Sequence, residues 1–489
     1  MKSNSTYKQT FWFSVINYIA IAIGVFSTFF IYPYDLAFFG KIGYIDSLAQ
    51  MIYPFLVFGS TQTIIRFYPV LNPENQYQLF KFSSRNIFIL SFFVGLCLVL
   101  GSFVFKWDLY FYLYYAFFLA AAMALIELYK RQVANLNKIA VPALFEKIIP
   151  KIAVPVVLLL FIFKLCTEQN ALLLYLFFYF ILVALLYRYL KKYFNAPISG
   201  SYRNLFSHIS KKEFYKYSFF AFAGSFGSFL AFRLDGFMIP VFLDFELGGV
   251  YRVGVNLASA LAIPSVGLFT LYAPQIATYI KNEDWVSLQE KYTQTAIFLF
   301  FLGVTVMGCV AVGLPTLFQL LPKTEKLFEA LPVIYILGAN VVINMGTSFN
   351  SEIISFSKYY KFNIIAVAVL VLVNVLLNFL VLTQTSLGIL GVALATFISM
   401  TLFNMVKLIF IYKKMKMQPF TKKYIRLIIV QLILLVFVYL MPNLNNLWIN
   451  FFVREIIFVA FTVFVVYKLK TVYLLNSWVD KIILYIQKR

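Results

Sequence analysis

The chain has 489 residues, of which 62% are hydrophobic and only 12% charged, with a mean hydropathy of +0.85. Soluble domains carry roughly 25% charged residues, so this composition excludes a water-soluble globular protein and requires lipid around most of the surface. The formal net charge of +22 could suit nucleic acid, but its distribution along the chain argues for a membrane instead.

A helix needs ~20 apolar residues to cross a hydrocarbon core of ~30 Å. In chain order, such stretches lie near 11–32, 42–65, 86–105, 110–129, 143–163, 171–190, 214–235, 248–271, 293–314, 328–350, 362–382, 388–411, 424–441 and 450–469. The first follows Lys2 and Lys8 but is too long for a signal-peptide core, and no small-residue cleavage site follows it. It is read as a span. The fifth contains Glu146, Lys147 and Lys151, and the eighth contains Arg252. The longest connections, 191–213 and 412–423, are both basic. Cys97, Cys166 and Cys309 stand alone in apolar stretches, without metal or disulfide spacing. No metal or cofactor is expected.

With the termini and even-numbered loops taken as one side, that side holds 33 of the 41 Lys and Arg residues. The other side holds Lys41, Lys106, Lys164, Arg233, Arg252, Lys323, Lys326 and Arg454. The positive-inside rule then places both termini in the cytoplasm. The positive charge reports topology first and attraction to anionic lipid second. No nucleic-acid partner is expected.

Two connectors six spans apart look alike. Asn72–Leu90 reads NPENQYQLFKFSSRNIFIL and Lys281–Phe300 reads KNEDWVSLQEKYTQTAIFLF. Each follows a Pro-containing span end and carries a Leu at the same place, Leu79 and Leu288. The expected fold class is therefore an all-α polytopic membrane protein of about 14 transmembrane helices. Two six-helix lobes with pseudo-two-fold symmetry would occupy 1–195 and 196–417, and two extra C-terminal helices with a cytoplasmic tail would occupy 418–489. Repeats six spans apart share one orientation, with a substrate path between them.

Four segments carry a family resemblance. They are Tyr32-Pro33 through Phe39-Gly40; Gly59–Pro69 (GSTQTIIRFYP); Arg233–Tyr251 (RLDGFMIPVFLDFELGGVY); and Asn374–Ser399, where NVLLNFLVL precedes LGILGVALATFIS. Small residues in the last would let spans eleven and twelve pack closely. Together with span count and order, these resemble the Wzx-type O-antigen flippases of the multidrug/oligosaccharidyl-lipid/polysaccharide (MOP, MATE-like) exporter superfamily. The turn LFQLLPKTEKLF before span ten departs from the Gly-containing signature usual there. The resemblance implies two six-helix lobes around a central cavity and alternating access. It also implies transport of a polyprenyl-diphosphate-linked oligosaccharide to the outer leaflet of a bacterial cytoplasmic membrane. Membrane lipids, a glycan polymerase and a chain-length regulator would be its partners.

Such a substrate needs a hydrated cavity for its glycan and cations for its diphosphate. Arg binds phosphate oxygens bidentately, and charges inside spans are expensive enough that they usually face a cavity or a partner. Arg66 ends span two one turn after Gln62, on one face with Gly59; it either receives the diphosphate or snorkels to the interface. Arg233 and Arg252 break the positive-inside pattern, and either bind substrate or pair with Asp235, Asp244 or Glu246. Lys147 and Lys151 form an i, i+4 stripe that either receives the diphosphate or anchors the inner leaflet. Asp46 and Asp235 are candidate ion-coupling residues, with a simple span cap as the alternative for Asp46. Tyr44, Tyr251 and Tyr272 are candidates for stacking on sugar. Glu127 is expected to pair with Lys130 or Arg131.

A cation-coupled multidrug exporter of the same superfamily is the runner-up. A membrane glycan polymerase or ligase would carry a large outer loop, which this chain lacks. Its single histidine, His208, falls on the cytoplasmic side, and no Walker A, zinc or Ser-His-Asp pattern is present. A non-enzymatic role is expected.

Overall fold

The computed structural model describes residues 16, 19–104, 109–136, 138, 140–194, 205–321, 325–442 and 444–487. Lys2, Lys8, Lys106, Arg203, Lys323, Lys488 and Arg489 of the charge count lie outside the described residues. The described residues contain no strand. In chain order the helices are α1 (Ile19–Tyr34), α2 (Leu36–Val57), α3 (Ser60–Phe67), α4 (Pro73–Val104), α5 (Tyr110–Asn135), α6 (Ala140–Ile162), α7 (Glu168–Tyr193), α8 (Leu205–His208), α9 (Lys211–Phe242), α10 (Phe245–Leu261), α11 (Ile263–Lys281), α12 (Trp285–Leu320), α13 (Ala330–Thr347), α14 (Asn350–Phe356), α15 (Tyr360–Gln384), α16 (Gly388–Met415), α17 (Lys422–Tyr439), α18 (Leu447–Lys468) and α19 (Tyr473–Gln487).

The chain is an all-α polytopic membrane protein. Among the described residues, eight helices are each long and apolar enough to cross a bilayer, and two bent pairs, α2/α3 and α10/α11, qualify together. Among the described residues, each of the fourteen predicted spans falls on a helix or a bent pair. The four beyond those ten are α1, α6, α9 and α17. Apolar side chains face outward where lipid would lie: on α4, Phe92 is 67% and Phe103 80% exposed. α6 stays continuous through Pro150 and Pro155; neighbouring helices can satisfy the backbone groups that a proline frees. The predicted tail contains α19, which folds back so that Trp478 meets Phe298 edge-on at 5.5 Å.

The breaks in the bent crossings lie elsewhere. α2 and α3 meet at 52°, where Phe58 (φ 41°) and Gly59 (φ 74°) both enter the left-handed region. A Cβ on Gly59 would stand 2.8 Å from Ser218 Cα, so only glycine admits the α9 backbone there. α10 and α11 meet at 46°, with Pro264 in the first turn of α11, where a missing N–H costs nothing.

The two look-alike connectors fold alike. Each follows a bent crossing and opens a long helix, α4 of 32 residues or α12 of 36. Each opening is capped by an Asx side chain: Asn72 Oδ1 accepts from Asn75 N–H at 2.9 Å, and Asp284 Oδ1 from Ser287 N–H at 3.1 Å. The Ser287 bonds hold the Asp284 carboxyl below the usual carboxylate range. Leu79 and Leu288 are both fully buried.

Residues 1–249 and 250–489 form two compact units. The boundaries at 195/196 and 417/418 follow the repeat; this division follows packing, which groups α9 with the first unit. In the first unit, α2 packs on α5 and α9. Gly40 and Gly249 touch across the α2–α10 contact: a Cβ on Gly40 would lie 2.9 Å from Gly249 N. In the second unit α15 packs on α16, as the small residues predict. Gly391 sits against Val381, Asn374 Nδ2 donates to Thr396 Oγ1 at 3.1 Å, and Asn378 Nδ2 to Asn374 Oδ1 at 3.1 Å.

Candidate functional site

The first unit carries a half-open cavity of about 710 Å³ walled by α2, α3, α5, α6, α7 and α9. The bend after α2 turns α3 so that Gly59, Thr61 and Gln62 form part of the wall. The polar lining continues with Tyr53, Glu127, Arg131, Glu146, Tyr179 and Tyr217. Phe220, Phe222 and Met123 supply apolar surface. The volume suits a few sugar rings rather than a whole lipid-linked glycan.

Gln62 is thus a lining residue. Arg66, one turn on, lies outside the lining but beside Tyr217, which belongs to it. Its Nη2 lies 3.1 Å from Glu213 Oε1, and its guanidinium covers the Tyr217 ring at 4.5 Å. Arg66 and Glu213 are 48% and 55% exposed, and exposed pairs contribute about 0–1 kcal/mol. The bond therefore orients Arg66 without holding the fold.

Glu127 accepts from Lys130 Nζ and Arg131 Nε, both at 2.5 Å, as the i, i+3 and i, i+4 spacing predicts. Lys130 also reaches Glu146 across to α6 at 3.0 Å. Glu146 is thereby bridged to α5. Lys147 and Lys151 are exposed and lie outside the cavity lining. The Lys151 chain runs along Gly24 of α1, its Nζ 3.4 Å from where a Cβ would stand.

At the other end of the unit, Lys41 Nζ and Glu168 Oε2 pair at 2.7 Å. Tyr44 is fully buried among Tyr112, Phe237 and Phe245, so its ring faces other aromatics rather than the cavity. Asp46 Oδ1 accepts from the Tyr175 hydroxyl at 2.6 Å, and the Tyr175 and Tyr179 hydroxyls lie 3.2 Å apart. Since Tyr179 lines the cavity, a hydrogen-bonded chain joins Asp46 to the cavity wall. On α9, Arg233 is exposed and Asp235 half-buried. In the second unit, Tyr251 is buried and Arg252 half-buried on α10, and Tyr272 carries Lys291 Nζ 3.5 Å above its ring.

Sequence reasoning passed over a buried polar cluster in the second unit. Lys407 on α16 is 2% exposed. Its Nζ donates to Ser351 Oγ at 2.7 Å and lies 3.6 Å from the Phe403 ring centroid, and the charge of Glu352 acts on it. Next to Ser351, Asn350 Oδ1 accepts from the Tyr292 hydroxyl at 2.5 Å. The signal was a lysine inside the twelfth predicted span.

No protein-family model matches the chain, and no curated protein matches it. Solved structures do. A structure described as the lipid II flippase MurJ in an inward closed conformation aligns with a TM-score of 0.69 at 14% identity, covering 94% of this chain and 99% of that one. An inward-facing multidrug resistance MATE transporter of the MOP superfamily aligns at 0.59 with 15% identity, covering 81% and 93%. A MOP superfamily transporter from Pyrococcus furiosus, noted for the reverse polarity of its binding pocket, aligns at 0.51 with 16% identity, covering 84% and 92%. At such identities a likeness speaks for architecture, and the architecture of this chain is that of the lipid II flippase and MATE-type structures of the MOP superfamily.

Proposed function

We propose that the chain is a flippase. It would move a polyprenyl-diphosphate-linked oligosaccharide, such as an O-antigen, capsule or exopolysaccharide repeat unit, from the inner to the outer leaflet of a bacterial cytoplasmic membrane. Alternating access would carry it, with both termini in the cytoplasm. The observation that carries this reading is the cavity wall of Tyr53, Gln62, Tyr179 and Tyr217, with the Arg66 guanidinium over the Tyr217 ring. Tyrosine rings stack on sugar faces while their hydroxyls hydrogen-bond, and a guanidinium beside them suits a diphosphate. The alignment with a lipid II flippase over nearly the whole chain supports the same reading. Asp46, linked through Tyr175 to Tyr179, is the proposed ion-coupling group.

Glu127 and Glu146 in the wall favour the second reading, a cation-coupled multidrug exporter, since carboxylates attract cationic drugs. Both are engaged by Lys130 or Arg131, which leaves them little charge to offer. Deleting the gene separates the readings. A flippase deletion accumulates one lipid-linked oligosaccharide on the inner leaflet and leaves sensitivity to cationic dyes unchanged. Raised dye sensitivity without accumulation would replace this reading with the exporter.

Arg66→Ala should lower flipping about tenfold, the worth of one charge-assisted contact of about 1.4 kcal/mol. The melting temperature of the purified protein should move by no more than about 3 °C. Unchanged flipping would remove Arg66 from the site.

A further inference from the structure

A second cavity, of about 400 Å³, lies wholly within the second unit, between the turn joining α14 to α15, the end of α16 and the turn before α12. Lys358, Lys414 and Lys416 line it together with Glu283, Trp285 and Tyr359. Three ammonium groups so close together ordinarily recruit carboxylates. Among the described residues, none of the three forms an ion pair. Two lie instead near aromatic rings: Lys358 Nζ is 5.4 Å from the Tyr359 centroid and Lys416 Nζ is 6.0 Å from that of Tyr412. A ring face orients a cation without neutralising it. Glu283 is the single acid in the lining, so the cavity keeps an excess of positive charge.

The surroundings specify the rest of the ligand. Trp285, Val286, Tyr360 and Tyr412 are 40%, 80%, 52% and 53% exposed. Apolar and aromatic side chains therefore flank a cationic recess, at ends of helices long enough to cross the bilayer. Such a border matches a molecule with an anionic head and hydrocarbon tails at the depth of the headgroups.

We propose that this cavity binds the phosphate headgroup of an anionic phospholipid. Lys358, Lys414 and Lys416 surround the phosphate oxygens, and the acyl chains run along the exposed flanks of α12, α15 and α16. The site is separate from the cavity of the first unit and does not depend on what that cavity transports.

The test uses the purified full-length protein in a non-ionic detergent, titrated with dioctanoyl phosphatidylglycerol and read by native mass spectrometry. Dioctanoyl phosphatidylcholine and sodium phosphate are titrated in parallel. Phosphatidylglycerol should bind well ahead of both. Each of Lys358→Gln, Lys414→Gln and Lys416→Gln should weaken it roughly fivefold, and the triple variant on the order of a hundredfold. The triple Lys→Arg variant should retain binding, which separates lost charge from lost fold, and Glu283→Gln should tighten it. The proposal fails if the triple glutamine variant binds phosphatidylglycerol like the wild type. It fails equally if inorganic phosphate binds as tightly as the lipid, since the site would then take free phosphate.

Discussion

Lys407→Met should lower the melting temperature of the purified protein by about 6–12 °C, and the double variant Lys407→Met/Glu352→Gln should recover most of that loss. The reasoning is electrostatic. Lys407 is 2% exposed on a membrane-spanning helix, with Ser351 and Phe403 in contact and Glu352 as the acid whose charge it offsets. Lys407 and Glu352 form no ion pair, and their charges act on each other through space. Removing one of two such opposed charges in a low-dielectric setting should cost up to about 3 kcal/mol, whereas replacing both by neutral groups is often nearly harmless. About 2–4 °C per kcal/mol is expected for a unit of this size. If the single variant melts with the wild type, Glu352 is not relying on Lys407. If the double variant is no better than the single, the loss is one of packing or of the Ser351 bond.

The second large effect is steric. Gly40→Ala and Gly249→Ala should each destabilise the first unit by about 2–4 kcal/mol, enough to reduce the yield of folded protein sharply. A Cβ on Gly40 would press on the carbonyl of Phe245, and one on Gly249 on the backbone of Leu36, 3.2 Å from its Cα. Backbone cannot rotate away as a side chain does, so α2 and α10 would have to part. Gly224→Ala in α9 is the internal control. Nothing lies within 4 Å of its Cβ position, and alanine favours a helix over glycine by up to about 1 kcal/mol, so stability should hold or rise slightly. Equal behaviour of Gly40→Ala and Gly224→Ala in a thermal-shift assay would refute the close approach.

These glycines show what could be read from residues alone. Gly40 and Gly249 both stand in segments that carried the family resemblance, and the structure supplies the cause: they meet each other. Span positions were legible because hydropathy and the alternation of Lys and Arg report the solvent each residue faces, which is a local property. The break at α10/α11 carries Pro264 and was within reach; the break at α2/α3 was not. The obvious punctuation, Pro150 and Pro155, leaves α6 continuous, while α2 gives way at Phe58, a residue with no intrinsic taste for positive φ. Its neighbour Gly59 lies against the Ser218 backbone, far away in sequence. The candidate site divides along the same line. The Glu127 pairs with Lys130 and Arg131 follow from helical spacing. Lys130 with Glu146, Arg66 with Glu213 and Asp46 with Tyr175 join different helices, and no spacing rule reaches that far.

The break between α2 and α3 has a mechanical consequence. An intact helix must sacrifice hydrogen bonds before it can fold sharply, whereas this crossing has already interrupted its ladder at Phe58 and Gly59. Bending about those two residues therefore costs less than bending an intact helix. The Gly59 backbone rests on that of Ser218 with no side chain between them. A piston-like or rolling displacement of α9 would consequently be geared straight into the angle of α3, carrying Gln62 and Arg66 with it.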